Sequence, residues 1–347
     1  MLENNPRWIS SGLLITFVVV DGYLLFPVFR YLQSILVLVI TAALLAFLLN
    51  YPVRLLISWK FKRGYAVAVV LLLALIILGA IALTLLPVLM QQLNELARRL
   101  PSWIDSGSRQ LQTFEAWATE KSLPFDVSAV LIQLEERFAT EVKALPTYAI
   151  NFSLEVFDSS LELLITIVLT LYFLLDGQNF WAGIWQWLPD DWGDRIQTSA
   201  NKSFQNYFIG QSAIAVLMSL TITIAFLLLK VPFGLLFGIG IGALVLVPFG
   251  DILGIVCVSS IVALKNVWLG VEVLSVATII DQAIDQAIAP RIFSGLVGLN
   301  PVWVIIALLL GAKLGGVLGL IIAVPTAAAI KRTAQGWRSS QSNLESN

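Results

Sequence analysis

The sequence predicts an all-α, polytopic integral membrane protein of about eight membrane helical segments, and three observations lead there. Of 347 residues, 58% are hydrophobic and 12% charged, and the mean hydropathy is +0.88, against about 45–50% apolar and about 25% charged residues in a soluble domain. A soluble chain of this length needs polar skins over roughly two cores, and too little polar sequence is present to supply them. The apolar residues also fall in runs near the ~20 that a helix needs to cross a bilayer core of about 30 Å, and in the last third each long run is interrupted by glycine, proline or charge.

The first run, residues 8–29, is too long for a signal peptide and lacks its small-residue cleavage site, so it reads as a retained span. Runs at 33–49 and 65–88 follow, separated by the basic loop of Arg54, Lys60, Lys62 and Arg63. The positive-inside rule places that loop, and with it the N-terminus, in the cytoplasm. Residues 91–150 form the one long polar stretch, read as an extramembrane helical insert punctuated by Pro101 and Pro124, with Leu93, Leu96 and Leu100 on one apolar stripe. A fourth span, 157–175, ends at the turn dipeptide Asp176-Gly177. Trp181, Trp185, Trp187 and Trp192 then mark an interfacial helix, because amphipathic indoles favour the headgroup layer. The fifth span is 208–229.

The last third divides differently. Residues 232–264 are too long for one comfortable crossing and are interrupted by Val247-Pro248-Phe249-Gly250-Asp251, where proline blocks a continuous helix. Residues 300–330 are interrupted by Gly311-Ala312-Lys313-Leu314-Gly315-Gly316 and carry Pro325 near their end. Glycines recur every fourth residue in both, as Gly234, Gly238 and Gly242, then Gly311, Gly315 and Gly319, a spacing that lets backbones approach closely. Between them lies a plainer helix, 269–289, bearing Asp281, Gln282, Asp285 and Gln286. Lys331, Arg332 and Arg338 argue for a cytoplasmic C-terminus. The parity of crossings then allows two solutions: eight spans, or two re-entrant hairpins entering from opposite faces around one last full span. The expected organisation is three membrane helices in 1–90, the insert in 91–150, two more helices with the Trp-rich segment in 151–230, the glycine-rich transport region in 231–335 and a disordered cytoplasmic tail in 336–347.

Several chemistries are excluded. Without histidine there is no imidazole base, Ser-His-Asp machinery or histidine-ligated metal. Cys257 is the sole cysteine, so an intrachain disulfide and a multi-cysteine zinc site are ruled out. A net charge of −1 offers no basic footprint for nucleic acid. Gly250-Asp251 lacks the Gly-x-Gly-Asp and Tyr-Asp pattern of intramembrane aspartyl proteases, and Phe293-Ser294-Gly295 lacks a rhomboid motif. No catalytic residues, bound metal or organic cofactor are therefore expected, and the chain reads as a non-enzyme.

Ionisable groups at membrane depth cost several kcal/mol, about 2.5–3.5 on insertion scales, and usually face a cavity or a partner. The candidates for ion binding or transport are Asp251 at the first hairpin tip, Lys313 at the second, the Asp281/Asp285 pair one helical turn apart, and the neighbouring Gln282 and Gln286. Pro248, Gly250, Gly254, Gly238, Gly311, Gly315, Gly319 and Pro325 are the candidate hairpin and packing residues. The plainer readings are that Asp281 and Asp285 lie near an interface or cap a helix, and that Lys313 neutralises one of them.

Tyr172-Phe173-Leu174-Leu175-Asp176-Gly177, Asn206-Tyr207-Phe208-Ile209-Gly210-Gln211, Val247-Pro248-Phe249-Gly250, Pro290-Arg291 with Gly298-Leu299-Asn300-Pro301, and the tail from Gly315 to Pro325 together form an ordered signature. In these the chain resembles the autoinducer-2 exporter (AI-2E) family, formerly grouped as uncharacterised permeases. The resemblance implies a multi-pass exporter of the bacterial cytoplasmic membrane, moving a small solute or signalling molecule by alternating access with a coupling proton or sodium ion. It also implies a homo-oligomer in the lipid bilayer. Sodium/proton antiport, or a non-transporting membrane scaffold, are the alternatives. Asp251 stands where the family usually has an uncharged residue.

Overall fold

A computed structural model describes residues 35–120, 160–185, 190–293 and 300–345, and all regular structure among them is helical. In chain order these helices are α1 (Ile35–Ser58), α2 (Arg63–Glu120), α3 (Ser160–Trp185), α4 (Asp190–Leu228), α5 (Gly234–Leu244), α6 (Gly250–Lys265) and α7 (Val267–Ala283). A π turn, Ile284–Ile288, carries α7 into the short α8 (Ala289–Ile292), and α9 (Pro301–Glu345) follows. Among the described residues five stretches are long and apolar enough to cross a membrane: Ile35–Ser58, Arg63–Phe114, Ile196–Leu228, Val267–Ile292 and Pro301–Gln335. The expected span at 8–29, the distal insert at 121–150 and Trp187 lie outside the described residues.

Both broken runs are hairpins. With 11 residues, α5 is about 17 Å long at 1.5 Å per residue, roughly half a bilayer core. The chain then turns back through 245–249 into α6, and Phe249 at the turn takes a left-handed φ of 65°. Gly250 closes the turn because a Cβ there would sit 2.9 Å from the Leu244 carbonyl carbon. In α9 the reversal falls at Gly316, with φ 57° and ψ −136°, a backbone state open in practice only to glycine. Gly311 consequently lies against Gly319 and Ala323, which a straight helix would carry about 12 and 18 Å away. In chain order the first hairpin joins α4 to α7, and the second follows α8.

The glycine stripes pack differently. Gly234, Gly238 and Gly242 lie against Phe226, Thr223 and Ser219 of α4, joining the first hairpin to its neighbour, whereas Gly311 and Gly319 hold the second hairpin's own arms together. Gly254 packs on Ile241 and Leu244 within the first hairpin. Gly315 is a correction: nothing lies within 4 Å of a Cβ built there, so it is a tip residue and not a packing one. Pro325 is fully buried inside the second arm.

Residue 91, the expected start of the insert, falls inside one helix. Helix α2 runs unbroken from Arg63 to Glu120 with Pro87 and Pro101 inside it. Proline removes one donor and bends a helix, but here Leu96, Leu100 and Trp103 on either side of Pro101 are buried in one core with Ile222 and Phe226 of α4 and Ile241, Val262 and Val273 of the following elements. That burial holds the helix through the proline. A second core joins Ala46 and Val53 of α1, Ala66, Val67 and Val70 of α2, and Leu174 of α3. At the C-terminus the backbone of α9 stays helical to Glu345, where the composition suggested a disordered tail. The fourth span breaks at Asp176 as its turn dipeptide implied, with φ −134°, and Asn179 Nδ2 donates to the Asp176 carboxylate.

The close approach of α4 and α5 yields a paired expectation. Gly238→Ala places a methyl about where Thr223 Cα and N lie, 2.7 Å from each, and overpacking of this kind costs about 1–3 kcal/mol. Gly240→Ala, with open space at its Cβ, leaves the heat-denaturation midpoint of the purified protein unchanged while Gly238→Ala lowers it.

Candidate functional site

The first hairpin is held at its helix ends by glutamines from longer helices. The Gln92 side-chain oxygen accepts from the Leu236 amide in the first turn of α5 (3.0 Å). Gln211 Nε2, on α4, donates to the Val245 carbonyl where α5 ends. Gln110 spans the joint between α6 and α7, donating from Nε2 to the Leu264 carbonyl (3.1 Å) and accepting at Oε1 from the Val267 amide (3.0 Å). These are orphan backbone groups that every helix end leaves open. Gln211 belonged to a motif already singled out, but Gln92 and Gln110 sat unremarked in the polar stretch after the third span. No local pattern marks an amide that will meet a backbone group about 150 residues away in sequence.

The hairpin so fixed delivers Asp251 to α7. Carboxylate oxygens of Asp251, Asp281 and Asp285 all lie within 4.8 Å of one another. Asp251 sits in the first turn of α6, where the positive end of the helix dipole favours an anion, and its Oδ1 accepts from the Ile252 amide at 2.8 Å. Asp281 is only 5% exposed and its Oδ1 has no hydrogen-bond partner. Asp285 is exposed and lies in the π turn, where the Ala289 amide donates to Ile284, five residues back. The turn has a cause in sequence: Pro290 has no N–H to offer Gln286, and its ring would press on that carbonyl in a regular helix. Such π turns recur at functional sites.

The outer face of the cluster is amide. Gln286 Nε2 donates to the Gln282 side-chain oxygen at 3.0 Å, and Gln282 Nε2 approaches Asp281 Oδ2 at 3.5 Å. Lys313 is not part of this group. It is exposed near the second hairpin tip, and among the described residues the ion pair is Arg99–Glu95, so the expected neutralisation of an aspartate by Lys313 does not occur there. Pro248 and Phe249 form the tip beneath Asp251. At an effective dielectric of about 20, ionised carboxylates at this separation repel by about 3 kcal/mol per pair, less where Asp285 meets water. Three carboxylates thus converge around one buried oxygen without a hydrogen-bond partner.

The whole chain carries a family signature as well as this local one. A model described as AI-2E family transporter matches residues 14–339. The chain belongs to the AI-2E transporter family. It is 42% identical over 325 residues to "Putative transport protein sll0063" of Synechocystis sp., covering 92% of this chain and 82% of that one. A second Synechocystis protein of the same description, sll0060, is 36% identical over 332 residues, 95% and 96% of the two chains. "AI-2 transport protein TqsA" of Escherichia coli K12 is 23% identical over 306 residues, 87% and 86% of the two. As an AI-2E member with these helices, the protein is a multi-pass membrane transporter, not a member of an enzyme family.

The electrostatics of the cluster predict a stability change. Asp281→Asn removes one charge and supplies an amide donor to Asp251 and Asp285, so the denaturation midpoint in a choline-based buffer rises above wild type. The rise brought by added sodium or by acid shrinks at the same time. A midpoint and a cation response both equal to wild type would show that the three carboxylates are not coupled.

Proposed function

We propose that this AI-2E transporter exports a small solute by alternating access, and that Asp251, Asp281 and Asp285 bind the coupling ion, a proton or sodium. The supporting observation is the meeting of three carboxylates, Asp251 from the first hairpin tip, Asp281 near the end of α7 and Asp285 in the π turn that follows, around an unpartnered buried oxygen. With a cation bound, the hairpin is drawn to α7; once it leaves, the acids repel and the tip is free to shift. An ion that favours one arrangement biases the equilibrium by its differential affinity, and paired hairpins flanking a midmembrane site are the architecture in which such a bias moves a solute. TqsA, a relative named for AI-2 transport, makes that signalling molecule the first solute to test.

Flux into proteoliposomes under imposed sodium and proton gradients decides between readings. Asp281→Asn and Asp251→Asn lower gradient-driven flux by about tenfold or more, the effect of one charged ligand worth roughly 1.5–3 kcal/mol. Wild-type flux in both variants removes the cluster from the mechanism. Sodium-for-proton exchange with no solute dependence assigns the same site to antiport, and no flux of any kind leaves the scaffold.

The second expectation concerns orientation in the bacterial inner membrane. After replacement of Cys257, which is exposed, a cysteine introduced at Lys60 and one near Glu345 label only from the cytoplasmic face; labelling of either from outside overturns the arrangement.

A further inference from the structure

A second cavity lies apart from the carboxylates, at the end of the bundle that bears the basic α1–α2 turn. It has a volume of about 720 Å³ and is walled by α1, the start of α2, α3 around its break, and α4. Arg54, Arg63 and Lys202 line it from three different helices, and among the described residues no acidic one is in the lining. Arg63 is fixed in place, since its Nε and Nη2 both donate to the Leu174 carbonyl (3.3 and 3.0 Å), just before the break at Asp176. Arg54 and Lys202 make no salt bridge among the described residues. The amides of Asn50, Asn201 and Gln205 complete a hydrogen-bonding wall.

Three converging cations repel, and their convergence costs free energy that an anion would recover through charge-assisted hydrogen bonds. A cationic ligand, which Trp181 alone would suit, is disfavoured by the same charges. The cavity does not end at the polar wall. Phe47, Trp181 and Asn201 are shared with an apolar pocket of about 220 Å³ that runs past Phe204 to Ile322 in the second hairpin. Head and tail of a ligand are thus recognised separately.

We propose that this cavity binds an organic anion, its phosphate or carboxylate held by Arg54, Arg63 and Lys202 and an apolar portion lying against Phe47, Trp181 and Ile322. That chemistry is common to a soluble metabolite and to the headgroup of an anionic phospholipid. The proposal goes beyond the ion-coupling reading and does not rest on it.

The test uses the full chain in phosphatidylcholine nanodiscs with phenyl phosphate as probe, read by equilibrium binding. The expected result is saturable binding that phenol does not match, weakened roughly tenfold by each of Arg54→Gln and Lys202→Gln, in line with one lost charged hydrogen bond apiece. Arg54→Lys with Lys202→Arg retains binding, which separates charge from misfolding, and Asp281→Asn leaves it unchanged. If phosphatidylglycerol added to the nanodiscs competes with phenyl phosphate, the natural ligand is a lipid headgroup; if it does not compete, the ligand is a soluble anion. Binding of both anions that is indifferent to Arg54 and Lys202 overturns the proposal. Should the glutamine variants aggregate, phenol binding to the wild-type chain as tightly as phenyl phosphate overturns it as well.

Discussion

Inside a bilayer every backbone N–H and C=O must find a partner within the protein, because the hydrocarbon offers none. A hairpin that turns back at membrane depth multiplies that demand, exposing several helix ends where a plain span has two at the surface. Here the demand is met by side-chain amides. Gln92 serves the start of α5, Gln211 its end, and Gln110 both the end of α6 and the start of α7. The position of the first hairpin, and so of Asp251, depends on these contacts together with the glycine face that seats α5 on α4.

This dependence gives α2 a role wider than a crossing. Its first turns pack with α1 and α3 in the core beside the cationic cavity, and its distal half packs beneath the first hairpin. One helix of 58 residues therefore ties both charged regions together. Movement of the hairpin would have to break or carry with it the Gln110 bridge at the α6–α7 joint and the Gln211 contact to Val245 beside the turn. Phe249, in a left-handed conformation that bulky residues seldom adopt, stands at that turn.

The two charged regions are complementary in kind. Negative charge is concentrated where the hairpin tip meets the π turn, positive charge where α1, α2 and α4 converge. They share no residue. Lys313, which in sequence looked like the counterpart of the aspartates, belongs to neither.

Much of this was legible in the residues. Hydropathy settled a helical membrane protein, because continuous apolar runs near 20 residues suit a spanning helix whereas barrel strands alternate, and proline and glycine marked breaks at Val247–Gly250 and within Gly311–Gly316 since those residues do not continue a helix cheaply. The Asp281/Asp285 pair was readable from a spacing of four. What only the tertiary structure decided was which long-range partners those features acquire: that Asp251 joins the pair and Lys313 does not, that α2 continues through Pro101, and that glutamines far along the chain close the hairpin's ends. Local sequence encodes conformational preference over a turn or two, whereas these outcomes depend on packing between helices more than a hundred residues apart, and nothing local records that distance.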